Sequence, residues 1–135
     1  MKFEIKDRVS ANKISEIRSK LKNFLLSNEI PEETASDIEL VISEMLTNVY
    51  KHSYKEREGE VIVKASIDGD ELTISIRDFG EKFSPADIRE PDPDFLADHG
   101  YGLYIASQIM DKIEYILSHE TGTEVILKKL LKSNG

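Results

Sequence analysis

The chain contains no cysteine among its 135 residues. Without thiols it has no disulfide bond, no thiolate metal ligand and no cysteine nucleophile, which excludes several classes of secreted protein, zinc protein and hydrolase. A chain without cysteine is typical of a reducing compartment. Residues 1–7 also lack the apolar segment of a secretory signal, because charged and hydrophobic side chains alternate there. We therefore expect a cytoplasmic protein.

Long apolar runs are absent as well. The most apolar stretches, such as residues 38–42 and 103–105, are interrupted or ended by charged or amide residues long before the roughly 20 residues needed to cross a bilayer. The sequence thus predicts no membrane span. Hydrophobic residues make up 39% of the chain and charged residues 33%, a mixture typical of one folded domain, which we expect to occupy residues 1–135.

Positive charge is scarce, with 18 lysine and arginine residues against 26 aspartate and glutamate residues and a net charge of -8. Affinity for nucleic acid depends on clustered lysine and arginine side chains that release counterions from phosphates. We therefore expect no direct binding of nucleic acid. The acidic balance favours a basic protein partner instead.

Hydrophobic periodicity predicts alternating strands and helices. Residues 3–6 form a short strand, a first amphipathic helix runs from Ser10 to about Asn28, and a second, longer helix begins near Pro31. Residues 61–67 and 72–76 alternate around the turn residues Asp68-Gly69-Asp70 and predict a hairpin that ends at Asp78. A third helix over residues 102–111 and a hairpin over 113–127 complete the order. The expected fold class is α+β, a two-layer sandwich with a mixed, largely antiparallel sheet and its helices on one face.

Residues 79–99 interrupt this pattern. They contain three of the four prolines of the chain among acidic residues, and they form a loop of a length that is unusual in a compact domain unless it has a function. We interpret this loop as a lid over a ligand.

The second helix carries Glu44, Asn48 and His52 at steps of four residues, with Lys51 between the last two. At helical spacing these polar groups lie along one flank of the apolar stripe. A carboxylate and a carboxamide one turn apart can hold a hydrated Mg²⁺ ion and activate a hydroxyl group, because hard cations prefer oxygen ligands. An ordinary solvated helix flank is the alternative interpretation.

Asp78-Phe79-Gly80 follows the first hairpin. A carboxylate that only accepts hydrogen bonds leaves the sheet here, next to a residue without a side chain that lets the backbone approach a ligand. An adenine amino group is the kind of donor that Asp78 can hold. A turn that merely ends the strand is the alternative.

His99-Gly100-Tyr101-Gly102-Leu103 opens the third helix, where free backbone N–H groups can face phosphate oxygens. The plain start of a helix is the alternative. The phosphate loop G-x-x-x-x-G-K-[ST] is absent, and Ile105 stands where a dinucleotide-binding fingerprint has its third glycine.

Taken in order, four motifs resemble the N, G1, G2 and G3 boxes of the GHKL (Bergerat-fold) ATPases, the family of gyrase, heat-shock chaperones, mismatch-repair proteins and histidine kinases. These motifs are Glu44-x-x-x-Asn48-x-x-Lys51-His52, Asp78-x-Gly80, Gly100-x-Gly102 and Gly122-Thr123. Within the family, residues 44–52 and 100–111 are most similar to the anti-sigma factor serine kinases. The resemblance covers nearly the whole chain.

The resemblance implies ATP and Mg²⁺ as cofactors. Asn48 would bind Mg²⁺, Glu44 would polarise the attacking hydroxyl as the catalytic residue, and Asp78 would hold adenine. Gly80 would admit the base, Gly100 and Gly102 would approach the phosphates, and Thr123 would assist at adenine. The residues implied to contact the nucleotide are Asn48, Lys51, His52, Asp78, Gly80, Gly100, Tyr101, Gly102, Leu103 and Thr123.

The resemblance also implies an activity and partners. The chain would be a protein serine/threonine kinase that sequesters a sigma factor and phosphorylates a serine of an anti-anti-sigma (STAS-type) protein, and it would form a homodimer. Lys82 departs from the wider D-x-G-x-G pattern by replacing its second glycine. Two alternatives stay open, namely a regulatory module that binds nucleotide without transferring phosphate, and a detached histidine-kinase catalytic domain.

Overall fold

The structure, a computed structural model, describes residues 1–84 and 101–131. The elements in chain order are β1 (Lys2–Val9), α1 (Ala11–Ser27), α2 (Glu32–Asn48), a π-helical turn (Val49–Ser53), β2 (Gly59–Asp68), β3 (Glu71–Asp78), α3 (Tyr101–Ile109), β4 (Lys112–Ile116) and β5 (Glu124–Leu130). The predicted order of strands, helices and hairpins is confirmed. Residues 85–100, which include most of the predicted lid over residues 79–99, lie outside the described residues.

The five strands form one sheet in the order β1-β2-β3-β5-β4. Every neighbouring pair is antiparallel, so this sheet is antiparallel throughout, whereas the sequence left a mixed sheet open. The predicted α+β class is confirmed. Asp68 pairs with Glu71 across the turn of the first hairpin, and Gly69 there has φ 60, a conformation that favours glycine.

The helices cover one face of the sheet. Alternate residues of the central strands are buried, and the residues between them lie on the opposite face, as the two-residue period of a strand requires. The largest fully buried side chains come from both layers: Val9, Ile17, Leu21, Leu25, Ile38, Ile42, Met45, Leu46, Leu72, Ile74, Ile76 and Leu127. This apolar core fixes α2 across the sheet and α3 against α2.

Local signals set the ends of the first two helices. Ser10 is extended at φ -154, and its hydroxyl accepts the N–H of Lys13 at 3.2 Å, which caps α1. The chain leaves α1 at Asn28 and reverses at Glu29, which has φ 65. Pro31 then precedes α2, whose first turn carries two glutamates that complement the positive end of the helix. Within the described ranges, no helix is both long enough and apolar enough to span a membrane.

Candidate active site

The candidate site lies where the end of β3 meets the start of β5 and the segment that follows α2. Asp78 is the last residue of β3, and only 1% of it is exposed. Its backbone N–H donates to the carbonyl oxygen of Thr123 at 2.9 Å. Its Oδ1 accepts the N–H of Gly80 at 3.1 Å and the N–H of Thr123 at 3.3 Å. Two backbone donors from different elements therefore orient this carboxylate.

Burial raises the pKa of the Asp78 carboxyl above its ordinary value. The hydrogen bond from the Gly80 N–H opposes the rise most strongly, followed by the Ser53 hydroxyl and the Thr123 N–H. The Arg77 guanidinium has a smaller effect in the same direction, and it lies 4.3 Å from the centre of the Phe79 ring. The result is a hydrogen-bond acceptor that is shielded from water yet held in place.

Two glycines allow backbone segments to cross closely at this point. A Cβ atom on Gly80 would lie 2.3 Å from the carbonyl oxygen of Ser53, and the N–H of Glu81 donates to that same oxygen at 2.8 Å. Gly122 has φ +76, and a Cβ there would lie 2.0 Å from the carbonyl oxygen of Asp78. The absence of a side chain at Gly80 is thus required by the fold itself, apart from any ligand.

The regular part of α2 ends at Asn48, and the next five residues form a π-helical turn in which the Tyr54 N–H donates to the Val49 carbonyl at 3.1 Å. The α-helical spacing that the sequence predicts for Glu44, Asn48 and His52 therefore holds as far as Asn48, and His52 lies on the π-helical turn. Tertiary contacts hold the residue that follows this turn, because the hydroxyl of Tyr54 donates to the Glu60 carbonyl and accepts the N–H of Phe79 at 2.9 Å. These bonds anchor the end of the helical segment to both strands of the hairpin.

Asn48 is 4% exposed, and its Nδ2 has no hydrogen-bond partner among the described residues. A buried amide without a partner is costly, and it commonly marks a place where a ligand, an ion or water completes the hydrogen bonding. Glu44 lies one turn earlier on α2 and is partly buried, and Lys51 is partly buried on the π-helical turn. The flank is thus less exposed than an ordinary solvated helix surface.

Ser53 ends the π-helical turn and is 3% exposed. Its hydroxyl oxygen is buried and makes no hydrogen bond of normal geometry within the described residues. It nevertheless lies near enough to the Asp78 carboxylate to lower its pKa. A second buried polar group without a settled partner therefore borders the site.

Aromatic side chains lie on one side of the candidate site, next to Thr123. Phe83 is 5% exposed, its N–H donates to Oγ1 of Thr123 at 3.1 Å, and its ring centre lies 5.7 Å from that of His52. On the other side Phe83 meets Tyr115 edge to face at 5.9 Å. The Tyr115 hydroxyl is buried without a partner in the described part of the chain, and burial raises the pKa of Tyr115 to about 12.

The structure brings three of the predicted site residues into one hydrogen-bonded unit, Asp78, Gly80 and Thr123. His52 is linked to this unit through Phe83, whose N–H donates to Thr123 and whose ring centre lies 5.7 Å from that of His52. Asn48 lies at the end of α2, immediately before the turn that carries His52. Gly100 lies outside the described residues, and Tyr101, Gly102 and Leu103 form the start of α3, of whose side chains nothing is described.

Sequence reasoning missed Ser53, Tyr54 and Phe83. A π-helical turn leaves no periodic signal in the sequence, so the hydrophobic pattern could not predict where Ser53 and Tyr54 lie. Phe83 could have been predicted from the sequence, because it is a large apolar residue that stands alone in a polar segment.

Comparison with known proteins gives consistent matches. Residues 8–129 match the histidine kinase-like ATPase domain family. Serine-protein kinase RsbW of Bacillus mycoides is 29% identical over 140 residues, which cover 97% of this chain and 86% of that relative. In fold, the chain is similar to a structure of the SiaB-SiaC complex from Pseudomonas aeruginosa, with a TM-score of 0.67 and 17% identity over 96% of this chain and 88% of that one.

A further similarity is to the blue-light activated histidine kinase of Erythrobacter litoralis EL346. The TM-score is 0.53 and the identity 25%, over 76% of this chain and 32% of that chain. This chain thus spans about a third of that kinase.

Proposed function

The chain belongs to the histidine kinase-like ATPase domain family, and from this premise we propose that it binds ATP and transfers the terminal phosphate to a serine of a partner protein. The observation that carries the proposal is the buried carboxylate of Asp78, oriented by the N–H groups of Gly80 and Thr123. A carboxylate has several lone pairs and accepts more than two hydrogen bonds. An adenine amino group is a suitable further donor.

Asn48 and Glu44 are the residues that we assign to the phosphate end of the nucleotide. The buried Nδ2 of Asn48 has no partner among the described residues and can donate to a phosphate oxygen, whereas the Oδ1 of the same amide would be the ligand for Mg²⁺. Bound Mg²⁺ would supply charge neutralisation of the phosphates. Glu44, one helical turn away, would orient the incoming serine hydroxyl and accept its proton.

The remaining predicted residues complete the proposed nucleotide site. Lys51 and His52 lie on the π-helical turn that follows Asn48, and the His52 ring lies against Phe83, so we assign both residues to the space next to Asn48. Gly100, Tyr101, Gly102 and Leu103 would approach the phosphates from the start of α3. We propose that residues 1–135 form one ATP-binding domain.

The similarity to a serine-protein kinase over 97% of the chain supports serine as the acceptor. We further propose that the protein is an anti-sigma factor, which holds a sigma factor and is released from it by an anti-anti-sigma protein of the STAS type. Phosphorylation of that STAS-type protein would restore sequestration. The net charge of -8 is consistent with a basic partner surface, and we expect a homodimer in the cytoplasm.

The experiment mixes the purified chain with radiolabelled Mg-ATP and a STAS-type protein encoded beside its gene. We expect label on a serine of the STAS-type protein. Two variants accompany the wild-type chain: Glu44→Ala, which should lose most of the transfer, and its matched control Asp37→Ala, which changes an exposed acid on the same helix. Nucleotide binding without any transfer of label would favour the regulatory module, and label on a histidine would favour the histidine-kinase alternative.

A further inference from the structure

The backbone of Ser53 is held from two sides. The N–H of Glu81 donates to its carbonyl oxygen at 2.8 Å, and Gly80 approaches that oxygen so closely that a Cβ atom would lie 2.3 Å away. The chain that follows Asp78 therefore clamps Ser53 directly beside the carboxylate. A fixed backbone limits the positions open to the Ser53 side chain, and rotation about its Cα–Cβ bond then decides where the hydroxyl lies.

The π-helical turn decides which way Ser53 faces. In an α-helix, residues five positions apart point about 140° away from each other, because each residue rotates the chain by about 100°. In a turn closed by bonds over five residues, the residues five apart are those whose peptide groups are hydrogen-bonded, so they lie on roughly the same side of the helix, as residues four apart do in an α-helix. Ser53 is five residues after Asn48, so the turn brings it to the side of the helical segment that carries Asn48. Single π-helical turns are frequently found at functional sites.

The fold does not account for the burial of the Ser53 hydroxyl, because that hydroxyl has no settled hydrogen-bond partner. It is buried, it makes no hydrogen bond of normal geometry within the described residues, and it neighbours a carboxylate whose Oδ1 already accepts two backbone N–H groups. A buried hydroxyl beside a carboxylate gains a charge-assisted hydrogen bond by a small rotation.

We propose that Ser53 is a positioning residue that sets base selectivity: in the nucleotide complex its hydroxyl donates to the Asp78 carboxylate and aims the remaining lone pairs at a 6-amino purine. This inference rests on the proposed function, because it assumes that Asp78 meets the base. A 6-oxo purine presents an acceptor oxygen where a 6-amino purine presents a donor. A carboxylate aimed at that position therefore rejects the 6-oxo base, and a carboxylate free to rotate discriminates less.

The test measures calorimetric affinities for ADP and for inosine diphosphate, which differ in the 6-substituent of the base. The proteins are the wild-type chain, Ser53→Ala, Asp78→Asn and the double variant. Ser75→Ala is the matched control, because Ser75 lies on β3 with Asp78 but on the opposite face of the sheet. Ser53→Ala removes a buried hydroxyl without a settled partner, so we expect it to fold with undiminished stability.

We expect Ser53→Ala to lower the ratio of ADP affinity to inosine diphosphate affinity by roughly five- to tenfold, the effect of about one hydrogen bond. In the Asp78→Asn background the same change should leave the ratio unaltered, since Ser53 acts through the carboxylate. The inference is overturned if Ser53→Ala weakens both nucleotides equally, changes neither, or has the same effect in both backgrounds. A wild-type chain that binds neither nucleotide would overturn the proposed function as well, whereas a selective wild type with an equally selective Ser53→Ala variant would overturn this inference alone.

Discussion

Asp78 and Thr123 are joined by two hydrogen bonds, from the N–H of Asp78 to the Thr123 carbonyl at 2.9 Å and from the N–H of Thr123 back to the Asp78 carboxylate at 3.3 Å. The first bond extends the pairing between β3 and β5 by one step, and the second links that pairing to a buried charge. The hydrogen bonds that orient the Asp78 carboxylate therefore also join the ends of β3 and β5. Changes to either residue will affect binding through geometry as well as through chemistry.

The first prediction concerns the contact to the base. Asp78→Asn should weaken ADP binding by about 10- to 100-fold, because the variant's amide presents a donor toward a base that also presents a donor. Its carbonyl oxygen still accepts the N–H groups of Gly80 and Thr123, so the fold should persist. Isothermal titration calorimetry checks the affinity and circular dichroism checks the fold. Undiminished affinity in a folded variant would remove Asp78 from the site.

The second prediction concerns the pH dependence of stability. Burial raises the pKa of Asp78 in the folded chain above its value in the unfolded chain. When the pH rises from the unfolded pKa to the folded pKa, the Asp78 carboxyl loses its proton in the unfolded chain but keeps it in the folded chain. The contribution of Asp78 to the free energy of unfolding therefore falls over this range. Above the folded pKa that contribution stays constant.

Asp78→Asn removes this dependence. The melting temperature of the variant minus that of the wild type should therefore increase between about pH 3 and pH 7, measured by thermal unfolding at each pH. Asp37→Asn, at an exposed position, should show a nearly constant difference. A difference that decreases with rising pH would mean that the carboxylate stabilises the fold.

The third prediction compares two glycines with positive φ. Gly122→Ala should destabilise the chain by about 3 kcal/mol or more, because its Cβ would meet the Asp78 carbonyl in addition to the strained backbone. Gly69→Ala is the control, since nothing lies within 4 Å of its Cβ position, and it should cost only about 1 kcal/mol. Urea denaturation measures both. Equal costs would show that the close approach at Gly122 relaxes easily.

The fourth prediction concerns Asn48. We expect Mg²⁺ to raise the ADP affinity of the wild-type chain about tenfold. If the Asn48 amide helps to hold Mg²⁺, the Asn48→Ala variant should lose most of this increase. Titrations with Mg²⁺ and with EDTA are compared for each protein, which separates the Mg²⁺ effect from a loss of ADP affinity caused by a disturbed fold. An unchanged gain in the variant would assign Asn48 to another role.

The fifth prediction separates phosphate transfer from binding. Glu44→Ala should lower the rate of serine phosphorylation by roughly a hundredfold or more, while ADP affinity stays within about twofold of the wild type. Single-turnover transfer from labelled ATP measures the rate, and Asp37→Ala is again the control. Transfer at the wild-type rate would show that Glu44 is not the base.

Much of the site follows from local sequence. The alternation of residues 72–76 predicts Asp78 at the end of a strand, and Thr123 lies within the hairpin predicted over residues 113–127. Asn48 was predicted on a helix flank from its spacing to Glu44. Helical spacing also predicts a place for His52, but the α-helix ends at Asn48, and His52 lies on a π-helical turn two residues before Tyr54, whose hydroxyl binds two distant backbone groups.

The sequence by itself determined the periodicities, the turns and the motif order of this protein, since these depend on residues within a few positions of one another. The tertiary structure alone decided how Gly80 crosses the Ser53 carbonyl, how Gly122 fits against Asp78 and how Phe83 comes between His52 and Tyr115. These contacts join residues 27 or more positions apart, and they exist only because the core brings β3, β5 and the end of α2 together. Long-range contacts of this kind leave no local pattern, because each partner satisfies its own local rules whether or not the other is near.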